Sequence, residues 1–306
     1  MPLQSVLHHG GGDAAVIGQL AWGMTAAGTL IFVAVMALLA LSLRKHARPL
    51  RPRWWIAGAG VAFPVVVLSI LLGWSTWRSA QLRPQTSNGA LAMSVTAKMW
   101  WWEVRYRDPA GGEVTAANEI HIPVGQDVYL GLNAADVIHS LWIPALGGKR
   151  DMIPGRVTGL TLRADKPGVY RGQCAEYCGV QHARMALQVV AHPPAEFAAW
   201  VAAQARPAVQ PADPQLQRGR AIFLEQRCQA CHTIRGVADG RQLGPDLTHV
   251  GSRAYLGAAT LRTHQGTLAA WITDPHVAKP GVFMPATRDL DGASLRALAA
   301  YLESLK

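Results

Sequence analysis

At 306 residues the chain is long enough for two or three domains, and it is 50% apolar and only 16% charged, which is unusually apolar for a soluble protein. A formal net charge of +10 would suit a nucleic-acid binder, but residues 1–85 carry seven basic and one acidic side chain while 86–195 carry ten and nine. Basic excess beside long apolar runs is a membrane pattern, so a nucleic-acid partner is excluded.

Ala14 to Leu43 contains no charged side chain, and neither does Trp54 to Trp77. Each exceeds the roughly 20 residues that cross a bilayer. The pattern predicts spans over about 15–43 and 54–77, forming a transmembrane hairpin within an N-terminal unit of 1–85. Pro64 interrupts the second span, which a membrane helix tolerates when the freed carbonyl finds a partner. Trp54, Trp55, Trp74 and Trp77 mark its ends as an aromatic belt. The connector 44–53 holds Arg44, Lys45, Arg48, Arg51 and Arg53, whereas the first 13 residues hold no Lys or Arg. The positive-inside rule therefore places the connector in the cytoplasm, and both termini outside. The segment before Ala14 lacks the basic start and hydrophobic core of a cleavable signal. Either the first span acts as the export signal or a signal has been removed.

Gln81 to Gly89 reads as a linker, and 86–195 turns to short β-rich runs broken by Gly, Pro and Asn. Strands are expected at Leu91–Ala97, Trp101–Tyr106, Glu119–Ile122, Asp127–Leu132, Gly159–Arg163 and Met185–Val190, which suggests a sandwich or barrel. Trp100, Trp101 and Trp102 are consecutive, and alternation along a strand forbids all three from sharing a face. The ordinary expectation puts Trp101 in the core.

The densest chemistry lies in Cys174–Met185, where two thiols, the imidazole of His182 and the thioether of Met185 occupy twelve residues. Soft ligands select copper, zinc or iron–sulfur clusters. A one-copper blue site takes two imidazoles, one thiolate and a weak thioether. A second thiolate suits two coppers sharing two sulfurs, provided another His arrives from elsewhere. A structural zinc site would not need the Met, and a disulfide would need neither His nor Met. The candidate for the second imidazole is His139, in Asp-Val-Ile-His-Ser-Leu-Trp-Ile-Pro.

Cys-x-Glu-x-Cys-x-x-x-His-x-x-Met, preceded by His-Ser-Leu-Trp, resembles the copper A site of the cytochrome c oxidase subunit II family. The resemblance implies a cupredoxin-like β-sandwich or barrel holding binuclear copper A. Cys174 and Cys178 would bridge the two coppers, with one imidazole each from His139 and His182. Met185 and the backbone carbonyl of Glu176 would be weak ligands, one to each copper. It further implies that Trp100 is where electrons enter, and that the Glu176 carboxylate holds a magnesium ion at the border with subunit I. Asp151 and Arg156 would either support that border or form an ordinary surface ion pair.

Pro193–Trp200 looks like a short helix, and Ala202–Pro214 is rich in Ala, Pro and Gln. Residues 196–214 are thus expected to be a helix and a semi-rigid tether rather than a packed element. In the last unit, 215–306, Cys228-Gln-Ala-Cys231-His232 is a c-type haem attachment signature. Its two thiols form thioethers to the haem, and His232 reaches the iron. Met284 is the only methionine beyond His232, and a Met–His axial pair suits electron transfer. His249, His264 and His276 are the competing ligands. Leu216–Gln226 and Gly244-Pro-Asp-Leu247 resemble the first helix and proximal loop of small cytochromes c, implying an all-α class I cytochrome c domain. Leu295–Leu305 closes the chain as an amphipathic helix with Leu295, Leu298, Ala299 and Leu302 on one face. The two motifs absorb all four cysteines, so no structural disulfide is expected.

As a whole the chain resembles subunit II of bacterial haem–copper oxidases that carry their own cytochrome c. The resemblance implies an electron-transfer subunit of a respiratory terminal oxidase, multi-pass in the bacterial inner membrane, with its copper and haem domains on the periplasmic side. A donor, soluble cytochrome c or another, would reduce haem c. Electrons would pass to copper A and on to haem in subunit I, where O2 becomes water with proton translocation. Implied partners are subunit I, subunit III and membrane lipid. Two other readings stay open: the copper A subunit of a nitric oxide reductase, and a stand-alone copper carrier or redox sensor. Against the latter, a carrier needs one exchangeable copper in an open site.

Overall fold

The computed structural model describes residues 4–44, 51–82, 91–107, 111–241 and 243–306. The connector positions Lys45 and Arg48 and most of the linker expected over 81–89 lie outside them. Two long helices come first, α1 (Gly12–Ser42) and α2 (Pro52–Ser79). Neither has any of its most apolar stretch covered by protein, and Leu30, Phe32, Leu68 and Ile70 point outward. A helix that is apolar all round needs an apolar solvent, and 31 and 28 residues are enough to cross a bilayer. Trp74 lies over Gly23 where the two helices touch. Upstream of Pro64, residues Trp55–Ala62 widen into a π-helical stretch in which the Phe63 amide donates to Gly58 O. Proline lacks the donor and crowds the carbonyl four residues back, and the widened turn absorbs both effects. The segment before α1 is pinned to the following domain. Gly10 N donates to Ala145 O (2.7 Å), and Asp165 N donates to Gly10 O (2.8 Å). The start of α1 therefore lies against that domain.

The second unit is a sandwich of two five-stranded sheets. Its strands are β1 (Leu91–Lys98), β2 (Trp101–Arg107), β3 (Glu113–Ala117), β4 (Glu119–Pro123), β5 (Val128–Ala134), β6 (His139–Trp142), β7 (Arg150–Met152), β8 (Thr158–Leu162), β9 (Gly168–Cys174) and β10 (Ala186–His192). One sheet runs β3-β2-β1-β5-β8 and the other β4-β10-β9-β6-β7. The β1–β5 and β4–β10 pairs are parallel. Period-2 burial is plain in β5, where Val128, Leu130, Leu132 and Ala134 face inward and Tyr129, Gly131 and Asn133 do not. The indole run resolves differently from expectation: Trp102, not Trp101, fills the core. Trp101 is half-buried under the Lys98 ammonium, 4.9 Å from the ring centre. Trp100 precedes β2 and is also buried.

The helices of the remainder are α3 (Pro194–Gln204), α4 (Pro214–Glu225), α5 (Gln265–Thr273), α6 (Pro275–Ala278) and α7 (Gly292–Ser304), with a short β11–β12 pair at Tyr255–Leu256 and Leu261–Arg262. Asp213 and Asp291 cap α4 and α7, each accepting from two first-turn amides. α4 and α7 cross at Gly219, where a Cβ would come within 2.1 Å of Ala297 O. Phe223, Ile222, Leu298 and Tyr301 are buried there, each apolar side chain contributing about 1.5–3 kcal/mol.

The tether expectation fails at its N-terminal half. α3 runs on to Gln204, and the chain after it is packed against the last domain. The Arg235 guanidinium donates to Gln204 O and Ala205 O, Ala208 N donates to Arg235 O (2.9 Å), and the His249 ring meets Arg206 O (3.1 Å). The last carbonyls of a helix have no partner within it, which leaves those of Gln204 and Ala205 at the end of α3 open to a neighbouring Arg.

Candidate functional site

The copper-loop residues converge at one end of the second sheet. β6 pairs with β9 so that Leu141 lies opposite Cys174, which puts His139 at the start of one strand beside Cys174 at the end of the other. β10 begins directly after Met185 and pairs with β9, closing the loop back on itself. Ligand atoms of His139, Cys174 and Cys178 all lie within 4.8 Å of one another, and all three residues are buried. The two Sγ atoms are 3.8 Å apart. His139 Nδ1 is 3.9 Å from Cys174 Sγ, His182 Nδ1 is 3.7 Å from Cys178 Sγ, and Met185 Sδ is 3.8 Å from Cys178 Sγ. Glu176 O is 3.2 Å from Cys174 Sγ. All six positions singled out in the sequence therefore meet, with soft sulfurs central and one imidazole on each side. That donor set fits copper.

Asp136 is the residue sequence reasoning missed. Its Oδ1 lies 2.7 Å from His139 Nε2, which leaves Nδ1 turned to the sulfurs. The same carboxylate accepts from Val137 N and Met99 N, both at 2.7 Å. Burial alone would lower the His139 pKa, yet it is raised, because its hydrogen bonds to Cys174 and Asp136 outweigh burial. The Cys174 thiol is pushed down, first by hydrogen bonding with Cys178 and then by His139, against the effect of burial.

Trp100 is tied to the loop, its Nε1 donating to Cys178 O at 2.8 Å. The Glu176 carboxylate faces the other way and pairs with Lys149 (3.2 Å), which also reaches Asp151 (3.3 Å). Arg156 has no described contact with them.

In the last domain Cys228 and Cys231 stand on one turn, with His232 next. His232 Nδ1 donates to Pro245 O at 2.7 Å, which leaves Nε2 as the free ring nitrogen. Burial holds the His232 pKa below the usual imidazole value, so the ring is neutral. Gly244 leaves room for the ring, since a Cβ there would sit 2.4 Å from His232 Cε1. Free thiols, a neutral imidazole with one nitrogen free and a loop shaped around it fit a covalent haem. Met284 lies in the partly buried loop after α6. The competing histidines are otherwise engaged: His249 on Arg206 O, His264 as the cap of α5 through Thr267 N, and His276 exposed on α6.

The two sites touch. Phe283, next to Met284, stacks on Trp100 with ring centres 5.8 Å apart. Lys279 is buried between the domains and donates to Trp100 O (2.8 Å), Arg184 O (2.9 Å) and Gly257 O (3.1 Å). Burial pushes its pKa down to about 7, with the Cys178 sulfur acting against that. Elsewhere on the border, Glu119 Oε1 accepts from Ala254 N at 2.7 Å. No sequence signal marked Lys279 or Phe283, because neither belongs to a ligand motif.

The cytochrome c oxidase subunit II periplasmic-domain model matches residues 112–192, and the cytochrome c model matches 216–306. Over 248 residues the chain is 37% identical to cytochrome c oxidase subunit 2 of Alkalihalophilus pseudofirmus, spanning 79% of this chain and 71% of that protein. It is 32% identical to the Bacillus sp. (strain PS3) protein of the same name over 79% of this chain and 72% of that one, and 30% identical to the Bacillus subtilis protein over 79% and 71%. Copper A and haem follow from the two matched domains, and a complex with subunit I from the relatives' name. With sandwich, haem motif and apolar hairpin in one chain, the protein belongs to the cytochrome c oxidase subunit II family, in the form that carries a C-terminal cytochrome c domain.

Proposed function

We propose that this chain is the electron relay of a respiratory terminal oxidase. It takes electrons from an outside donor, soluble cytochrome c or another, at haem c, and passes them through binuclear copper A to haem in subunit I. There O2 is reduced to water with coupled proton translocation. The observation that carries this reading is the contact between the two sites: Phe283, in the loop bearing Met284, stacks on Trp100, whose indole donates to Cys178 O of the copper loop. Bound copper and haem supply the one-electron chemistry.

The residues of the chain do the positioning. Asp136 and the Pro245 carbonyl each fix a histidine tautomer, so that His139 offers Nδ1 and His232 offers Nε2. Cys174, Cys178, His139, His182, Met185 and the Glu176 carbonyl would together hold the two coppers. Cys228 and Cys231 would attach the haem, and His232 and Met284 would be the ligands to its iron. Trp100 is where electrons reach the copper side. The Glu176 carboxylate, half-exposed beside Asp151 and Lys149, is the place for magnesium at the subunit I border. The hairpin sits in lipid of the bacterial inner membrane beside subunits I and III, with both redox domains on the periplasmic side.

Metal and haem analysis of the purified full chain tests the reading. Two coppers and one covalent haem per chain, with the hyperfine pattern of an unpaired electron shared over two copper nuclei, are expected. One copper, or a one-nucleus pattern, would overturn the binuclear assignment.

A further inference from the structure

Three consecutive residues of the haem domain form a reciprocal clasp with the copper domain. Ala278 O accepts from the Arg184 guanidinium, and Pro280 O accepts from Gln181 Nε2 at 2.7 Å. Between them, the Lys279 ammonium donates in the opposite direction. Its three N–H bonds match three carbonyls: Trp100 O just before β2, Arg184 O just before Met185, and Gly257 O in its own domain. The residue is 1% exposed. Charge buried this deeply is costly unless hydrogen bonds satisfy it, and an apolar residue would fill the same space at lower cost. What Leu or Met could not do is join three loops at one atom.

We infer that Lys279 is a positioning residue that locks the haem c domain onto the copper loop, making the docked arrangement the resting state of the chain. The inference deepens the relay reading and rests on it for its kinetic consequence only. Two of the three acceptors frame the copper site. Trp100 is the residue whose ring bonds Cys178 O, and Arg184 is the neighbour of Met185. On the haem side Lys279 stands four residues before Phe283 and five before Met284. The clasp therefore sets the Phe283–Trp100 stack directly. The packed residues 205–208 shorten the linker, so the haem domain is held at its N-terminal approach as well as at the clasp.

The test uses the full-length chain loaded with haem and copper. Lys279→Met matches the stem and removes the donors, while Lys279→Arg retains charge and donors. Hydrogen–deuterium exchange over 181–187 and 254–262 reads the interface, where Ala186 N and Ala254 N donate across it. Flash reduction of the haem reads internal electron transfer. Lys279→Met should lose protection in both segments with unchanged haem and copper spectra. Internal transfer should slow by about the factor by which the docked population falls, tenfold for a tenfold loss. Lys279→Arg should restore part of both. Parental protection in Lys279→Met overturns the lock, whatever the transfer rate. Lost protection with parental transfer overturns the claim that this pose is the productive one. Copper reduced ahead of haem by the donor sinks the relay reading, and the exchange data still decide the lock. Should Lys279→Met fail to take up haem, Gln181→Leu removes the neighbouring bond from the copper side. It must loosen the same segments, and unchanged exchange there overturns the clasp.

Discussion

Replacing Asp136 by Ala should loosen copper without removing any ligand. The carboxylate accepts from the His139 ring, Met99 N and Val137 N, each at 2.7 Å. Hydrogen bonds to a charged group contribute about 1.5–3 kcal/mol each. Val137 is exposed, so water can take over its bond, and two losses remain. The Asp136 side chain is itself 23% exposed, which puts the sum at the low end, about 3 kcal/mol of domain stability. For the metal, freeing a ligating imidazole to rotate or change tautomer costs about 10–100-fold in affinity, or about 1.4–2.7 kcal/mol. Asp136→Asn should fall between, because the amide oxygen can still accept from His139 while its NH2 opposes the Met99 amide. Competition with a Cu(I) chelator measures retention, and thermal melting with copper removed separates the stability term. Parental copper retention in Asp136→Ala would refute the tautomer argument.

Met284→Ala should abolish the sulfur-to-iron charge-transfer band of the oxidised haem and lower its potential, while covalent attachment at Cys228 and Cys231 survives; an unchanged band would reassign the ligand to a histidine. Trp100→Phe should slow haem-to-copper transfer without altering either metal spectrum, as measured after flash reduction, and Phe283→Leu should do the same by removing the other half of the stack. His192 is held below its ordinary pKa by burial and by His121, whose Nδ1 is 2.8 Å from His192 Nε2, with Glu196 acting the other way. The folded chain thus binds fewer protons than the unfolded chain just below about pH 6.5, so stability falls as pH drops through that window and returns above it. His192→Gln should flatten that slope, read as melting temperature at about pH 5 and pH 8.

What could be read from the sequence was what local chemistry specifies. The copper ligands lie in one twelve-residue loop plus one strand residue, so their spacing carried the site before any fold was known. The period-2 runs likewise gave β1, β2, β4, β5, β8 and β10 to within a residue or two. The strands that went unread had weak signals. β9 is Gly-Val-Tyr-Arg-Gly-Gln-Cys, with two glycines, and β7 is only three residues long. α5 was missed because its start is capped by His264, an uncommon cap, and Gly266 and Thr267 in its first turn are poor helix formers. Trp101 and Trp102 were exchanged because alternation fixes the period but not the phase: one residue of offset moves every side chain to the other face.

The interface was invisible for a different reason. Lys279 in Lys-Pro-Gly reads as a turn lysine in water, and only the opposing carbonyls give it a role. Those acceptors are backbone atoms at Trp100, Arg184 and Gly257, up to 179 positions away in sequence, and a carbonyl leaves no mark in the residue type. The same is true of the stretch after α3, where Arg235 claims the Gln204 and Ala205 carbonyls and His249 the Arg206 carbonyl. A domain border built from backbone acceptors and a few long cationic or amide side chains therefore looks, in sequence, like a surface joined by a linker. That is why the composition suggested a semi-rigid tether between two domains, where the structure has one seated on the other. The functional consequence differs as well. A tethered search would make transfer sensitive to linker length, whereas a seated pair makes it sensitive to single side chains such as Lys279 and Phe283 and tolerant of insertions beside the exposed Val209.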